Sequence, residues 1–251
     1  MNELFDRKAL QKLIIPLIIE QVLAVAVGMS DIIMVSMVGQ SAMSGVSLVD
    51  IIAVLLIQVF SALATGGAVI SAQYLGQKNL NRACMAANQL ILSIGVLSTF
   101  IAVLALIGNP YILSTIYGQI EPDVMKNARI YFYITALSYP FLGIYNGAAA
   151  LCRSMGNSKA SMNTSLIMNG LNLGGNAFLV FGLKLGVEGV AIPTLVSRII
   201  AATVMLIIIH DQKNPIHINA KFRLGFQPKI IKEILCIGIP TGLDSSLFQI
   251  G

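Results

Sequence analysis

The chain has 251 residues, of which 56% are apolar and 11% charged, and its mean hydropathy is +0.82. Soluble domains carry about 25% charged residues, and a fold of this size could not cover so much apolar surface with polar side chains. Composition therefore excludes an ordinary soluble enzyme, a disordered chain and a coiled coil. The net charge of +5 does not mark a nucleic-acid binder, because the basic residues lie in short loops between apolar runs, not on one tail.

A bilayer crossing needs about 20 mostly apolar residues. The first such run covers residues 13–38 and exceeds a signal-peptide core. It contains Pro16 and Glu20, so it reads as a permanent membrane helix. Further runs follow at 47–75, 85–108, 129–152, 161–181 and 188–209, and a seventh begins near 230. Turn-forming residues separate them: Gly39-Gln40-Ser41, Gly76-Gln77-Lys78-Asn79, Gly108-Asn109-Pro110, Gly156-Asn157-Ser158, and Gly182 to Gly189. The alternation of barrel strands is missing. The expected fold is an all-α membrane protein. Residues 1–209 form a six-helix transmembrane lobe, 210–229 a polar linker and 230–251 the start of a seventh helix.

If six helices zigzag, Lys and Arg at 7, 8, 12, 78, 82, 153, 159, 213, 221, 223, 229 and 232 share one side, against Lys126, Arg129 and Lys184 on the other. The positive-inside rule then puts the N-terminus and the linker in the cytoplasm. Cys84, Cys152 and Cys236 are widely spaced and read as small buried apolar residues, and His210 and His217 as solvated loop residues. Ile15-Pro16-x-x-x-Glu20 is echoed by Ile239-Pro240-x-x-x-Asp244, which fits a parallel six-helix repeat.

The polar residues inside these runs carry the functional reading. Asp31 lies deep in the first run, where a carboxylate costs about 2.5–3.5 kcal/mol on insertion scales. It must face a cavity, find a partner or take up a proton. Glu20 is eleven residues earlier, which at about 100° per residue leaves only ~20°, so the two acids share a helix face. Glu20 lies nearer the cytoplasmic end. In the fifth run Asn169, Asn172 and Asn176 (i, i+3, i+7) form one polar stripe, expected to line a cavity and to reach Asp31. Gly170 and Gly174 form a neighbouring small-residue stripe suited to close helix packing. The fourth run gathers Thr135, Ser138, Tyr139 and Asn146 near Pro140, and the second lines up Gln58, Ser61 and Thr65 before Gly66-Gly67. Together these suggest a bundle with a wet interior. Arg198 falls near the middle of the sixth run, where it can pair with an acid or reach water. Asp50 reads as an interfacial residue opening the second helix. Nucleophile, zinc-protease and phosphate-loop motifs are missing, so an enzyme or an ATP-driven pump is not expected.

Several ordered motifs resemble one family. These are Pro16 with Asp31 in a Gly-x-x-Asp-x-x-Met context, Gly67 through Ser71-Ala72-Gln73-Tyr74-Leu75-Gly76, and Arg153-Ser154-x-Gly156-Asn157-Ser158-Lys159. Asn172-x-x-x-Asn176-Ala177-Phe178-x-x-Phe181-Gly182 and Gly186-Val187-x-Gly189-Val190-Ala191-Ile192-Pro193-Thr194 follow. The chain resembles the multidrug and toxic compound extrusion (MATE) transporters. The resemblance implies two six-helix lobes around a central cavity in the cell membrane. It also implies export of cationic organic compounds in exchange for Na⁺ or H⁺, with no other cofactor. The family's first-helix aspartate falls on Asp31 and its fifth-helix polar pair on Asn172 and Asn176, whose second position is an aspartate in some members. A coupling Na⁺ would sit near Asp31. Glu20, Gln58, Thr65, Tyr139, Asn146, Asn169 and Arg198 are expected to line the substrate cavity. The family has about twelve helices, so a C-terminal lobe is the expected missing partner. Two other readings stay open: a lipid-linked saccharide flippase of the same superfamily, which would favour a strongly basic cavity where only Arg198 is a candidate, and a channel without a coupling ion.

Overall fold

The structure, a computed structural model, describes residues 7–118, 120–218 and 225–250. Among them are seven long α-helices: α1 (Arg7–Val38), α2 (Gln40–Gly76), α3 (Leu80–Tyr117), α4 (Pro122–Ser154), α5 (Ser158–Ala177), α6 (Glu188–His210) and α7 (Pro228–Ile250). Leu13–Val38, Gln40–Gly76, Leu80–Tyr117 and Glu188–His210 are each long and apolar enough to cross a bilayer. Helices α4 and α5 owe their lower hydropathy to the hydroxyls and amides that make them interesting.

Local chemistry explains the boundaries. Gly39 has φ +143°, a conformation that favours glycine, and lets α2 start one residue after α1 ends. The Asn79 side chain accepts from the Arg82 N–H at the start of α3, and the Asn157 side chain accepts from the Ala160 N–H at the start of α5. The Gly108-Asn109-Pro110 turn expected from sequence does not end a helix, because α3 runs through it to Tyr117. Asn109 instead donates through Nδ2 to the Arg129 carbonyl of α4 at 3.0 Å, which anchors the helix beside its proline. The charges at 221 and 223 lie outside the described residues.

Helix α4 is the centre of the bundle and packs against α2, α3 and α6. Ala128, Phe132, Ala136, Tyr139 and Ala148 are fully enclosed along it. Close crossings use glycine: a Cβ at Gly45 would lie 2.8 Å from the Ala128 nitrogen of α4. One at Gly66 would collide with the Ile234 carbonyl of α7, and one at Gly238 would stand 2.9 Å from the Ala62 carbonyl of α2. Tyr74 of α2 also donates to Glu233 of α7 at 2.9 Å, so α7 is fastened to α2. Between α5 and α6, the tight contact is Gly175 against Pro193, where an added Cβ would sit 2.7 Å from the proline Cβ. Gly170 and Gly174, expected to be the packing stripe, face open space. Helix α1 rests on α5 and α2 and leaves Ile15, Ile18, Val22, Val25 and Met29 exposed, as suits a helix in contact with lipid tails.

The linker folds back on the bundle. Ile216 is buried and its N–H donates to the Met155 sulfur at 3.3 Å. The buried Gln89 of α3 donates to the Gly225 carbonyl at 2.9 Å and accepts from the Gln227 N–H at 3.0 Å. The His217 ring lies 3.9 Å from the Cys84 sulfur and 3.2 Å from the Asn214 carbonyl, so it is held against α3 and not freely solvated. Cys84 and Cys152 are buried as expected, whereas Cys236 is exposed.

Candidate functional site

Helical phase brings Asp31, Asn172 and Asn176 together. Asn176 is fully buried and donates through Nδ2 to Asp31 Oδ1 at 2.7 Å and to Asn172 Oδ1 at 3.1 Å. Asn172 in turn donates to the Thr194 hydroxyl of α6 at 2.9 Å, and Thr194 donates to the Val190 carbonyl at 2.9 Å. A polar chain thus runs from the carboxylate on α1 across α5 to the α6 backbone. A short distance to a charged acceptor marks the Asp31–Asn176 link as the strong member. The Gly175–Pro193 contact sets α5 close enough to α6 for Asn172 to reach the residue after the proline. Directly after Asn176, α5 passes into a π-helical turn (Phe178–Gly182), in which the Leu183 N–H donates to the Phe178 carbonyl at 3.2 Å. Such widened turns recur at functional sites. The Asn176 Oδ1 is enclosed and has no hydrogen-bond partner among the described residues.

The other expected residues divide. Asn169 is part-buried and donates to Ser165 one turn back, outside this chain. Glu20 does not join Asp31. It accepts from Tyr145 at 3.3 Å and Ser161 at 3.2 Å and pairs with Arg153 at 3.5 Å, forming a tie from α1 to α4 and α5. Tyr139 is fully enclosed in the core and so is no cavity-lining residue; its bulk packs inside α4 instead. Gln58 and Thr65 are part-exposed on α2, and no hydrogen bond joins them to Asp31 among the described residues. Asn146 is part-buried, and its Nδ2 is enclosed without an acceptor there. Arg198 is part-buried and donates to the Ser138 hydroxyl at 2.6 Å.

Asp50, like Tyr139, sits elsewhere than its sequence pattern suggests. Asp50 does not open the second helix: α2 begins at Gln40, so Asp50 lies about ten residues, ~15 Å, inside it. It accepts from the Tyr131 hydroxyl of α4 at 3.2 Å. The small and polar residues 40–46 look like a loop and hid this. Tyr131 and Thr194 were not singled out as site residues, because a tyrosine and a threonine in apolar helices carry no distinctive spacing. Thr194's position after a helix-interior proline is the available signal.

The bundle and its apolar helices define a multi-pass membrane protein. The sequence profile of the MatE family matches residues 16–178. The chain belongs to this family. It is 27% identical to the probable multidrug resistance protein NorM of Thermotoga maritima, over 98% of this chain and 53% of that protein. It is 28% identical to the multidrug export protein MepA of Staphylococcus haemolyticus, over 94% of this chain and 52% of that protein. The chain therefore spans about half the length of these relatives. Among solved structures, MATE in the bent conformation superposes with a TM-score of 0.88 at 20% identity, covering 97% of this chain and 54% of that one. The fold is that of half a MATE transporter.

Proposed function

We propose that the chain is the N-terminal lobe of a multidrug efflux antiporter that exports cationic organic compounds in exchange for Na⁺ or H⁺. The observation that carries this reading is the buried polar chain from Asp31 through Asn176 and Asn172 to Thr194. A carboxylate kept in a membrane bundle, with oriented amides around it, is a site whose charge is meant to change. Loading a monovalent cation neutralises Asp31. For Na⁺, the ligands are hard oxygens: the carboxylate and the partnerless Asn176 Oδ1. For H⁺, the carboxyl itself takes the proton. A proton removes the charged acceptor of Asn176 and weakens the hold of α1 on α5, whereas Na⁺ leaves the carboxylate ionised and ties Asp31 of α1 to Asn176 of α5; each changes how α1 sits on α5. Pro16 gives α1 a place to bend, and two packings of α1 supply the bistable element that drug and cation bias in opposite directions.

The relatives named as multidrug proteins support the substrate class, and the second lobe completes the cavity. The Lys and Arg asymmetry supports a plasma-membrane orientation with the N-terminus in the cytoplasm. The test is Asp31→Asn in the complete transporter, assayed by ion-driven efflux of ethidium from everted vesicles. The expected result is normal expression with efflux lost; undiminished gradient-driven efflux would remove Asp31 from the mechanism.

A further inference from the structure

The Asp31 chain is not isolated electrically. Asp31 lies about seven residues from the end of α1, and Asp50 and Arg198 about ten from the starts of α2 and α6, so all three sit at a similar depth, ~10–15 Å inside the helices. Arg198 follows Thr194, the end of the Asp31 chain, by one turn of α6, and the α4 partners of Arg198 and Asp50, Ser138 and Tyr131, are seven residues apart on one helix face, so Asp31, Asp50, Arg198, Tyr131 and Tyr139 are the ionisable groups that these contacts gather among the described residues. Arg198 makes no ion-pair contact with either acid there; its nearest polar partner is Ser138 at 2.6 Å. One guanidinium charge is therefore shared between two carboxylates on different helices. Asp50 is held by Tyr131 and Asp31 by Asn176, so neither acid is free to swing over and claim the arginine.

The count then decides the behaviour. Two carboxylates and one guanidinium leave one net negative charge, since the tyrosines stay neutral at ordinary pH. An uncompensated charge in a low-dielectric interior is costly and draws in a counter-ion. Without Asp50, Arg198 would balance Asp31 alone, and the cluster would have no demand for another cation. We propose that Asp50 and Arg198 together set the cation demand of the Asp31 site, Asp50 cancelling the arginine charge so that Asp31 must take up one monovalent cation. Asp50 is a positioning residue for charge and does not touch the ion. This rests on the antiporter reading above.

The experiment measures the Na⁺ concentration giving half-maximal ethidium efflux at fixed alkaline pH, and the pH profile in Na⁺-free buffer, using the complete transporter in liposomes. Asp50→Asn raises the half-maximal cation concentration by about tenfold or more, and Arg198→Gln lowers it by a similar factor. The double variant returns to within about threefold of wild type, because both states again carry one net negative charge. Asp50→Glu stays near wild type. An unchanged Asp50→Asn beside an inactive Asp31→Asn overturns this inference and leaves the antiporter reading standing. An active Asp31→Asn sinks that reading instead. Impairment of Asp50→Glu and the double variant to the same degree as Asp50→Asn makes Asp50 merely structural and overturns the inference. Should Asp50→Asn fail to assemble, the Arg198→Gln arm decides: an unchanged half-maximal concentration refutes the proposal.

Discussion

Removing the Glu20 side chain should release the cytoplasmic half of α1. That half is otherwise poorly fastened, since its apolar residues point largely outward. Glu20 holds it through three partners: Tyr145 at 3.3 Å, Ser161 at 3.2 Å and Arg153 at 3.5 Å. The ion pair is part-exposed, with side-chain exposures of 32% for Arg153 and 17% for Glu20, so it contributes about 0.5 kcal/mol. The two hydroxyl bonds are long, so each contributes about 1 kcal/mol, below the ~1.5–3 kcal/mol of well-formed bonds to a charged acceptor. The sum is about 2.5 kcal/mol, or roughly 70-fold in the opening equilibrium of this segment. Glu20→Gln keeps an acceptor oxygen and loses the charge, so it should cost about 1 kcal/mol, roughly fivefold. Hydrogen exchange of residues 13–27 in lipid nanodiscs reads this directly. We expect faster exchange there in Glu20→Ala, a smaller change in Glu20→Gln, and no change in α6. Equal protection in all three proteins would refute the tie, as would a loss spread evenly over the bundle.

Gly175→Ala should destabilise the bundle by about 1–3 kcal/mol, because its methyl meets the Pro193 ring, while Gly174→Ala should be neutral or mildly stabilising in open space; thermal unfolding in detergent separates the two. Thr194→Val removes the acceptor of Asn172 Nδ2 and strands a buried amide, a cost of about 1–3 kcal/mol. The same unfolding assay should show it, and an unchanged midpoint would contradict the polar chain. Gln89→Leu breaks both hydrogen bonds that hold Gly225 and Gln227 to α3, so limited proteolysis between residues 211 and 227 should quicken severalfold, with helix content unchanged.

Much of this architecture is legible in the sequence because apolar run length and helical phase are local properties. Asp31 stands out because a charge in an apolar run has no cheap explanation, and the i, i+4 spacing of Asn172 and Asn176 puts both on one face. What the run alone cannot say is which neighbour that face meets. Asn169 shares the stripe yet bonds to Ser165, and Glu20 shares a face with Asp31 yet turns to α4 and α5. Turn signals misled where tertiary contacts overrode them: Pro110 sits inside α3, and residues 40–46 extend α2 so that Asp50 falls within it and not at its start. The packing glycine was off by one, since Gly175, not Gly174, meets Pro193. Such a shift is about 100° around the helix, and only the crossing geometry fixes it.

In the proposed antiport cycle, charge neutralisation at Asp31 is exchanged for outward movement of a cationic compound. Its most direct measurement is uphill ethidium accumulation in liposomes holding the complete transporter under an imposed Na⁺ or H⁺ gradient, compared with Asp31→Asn at equal protein. The expected result is accumulation against the dye gradient in the wild type that vanishes when the ion gradient is collapsed, and none in the variant. Uphill accumulation by the variant, or movement in the wild type that only ever runs down the dye gradient, would contradict it.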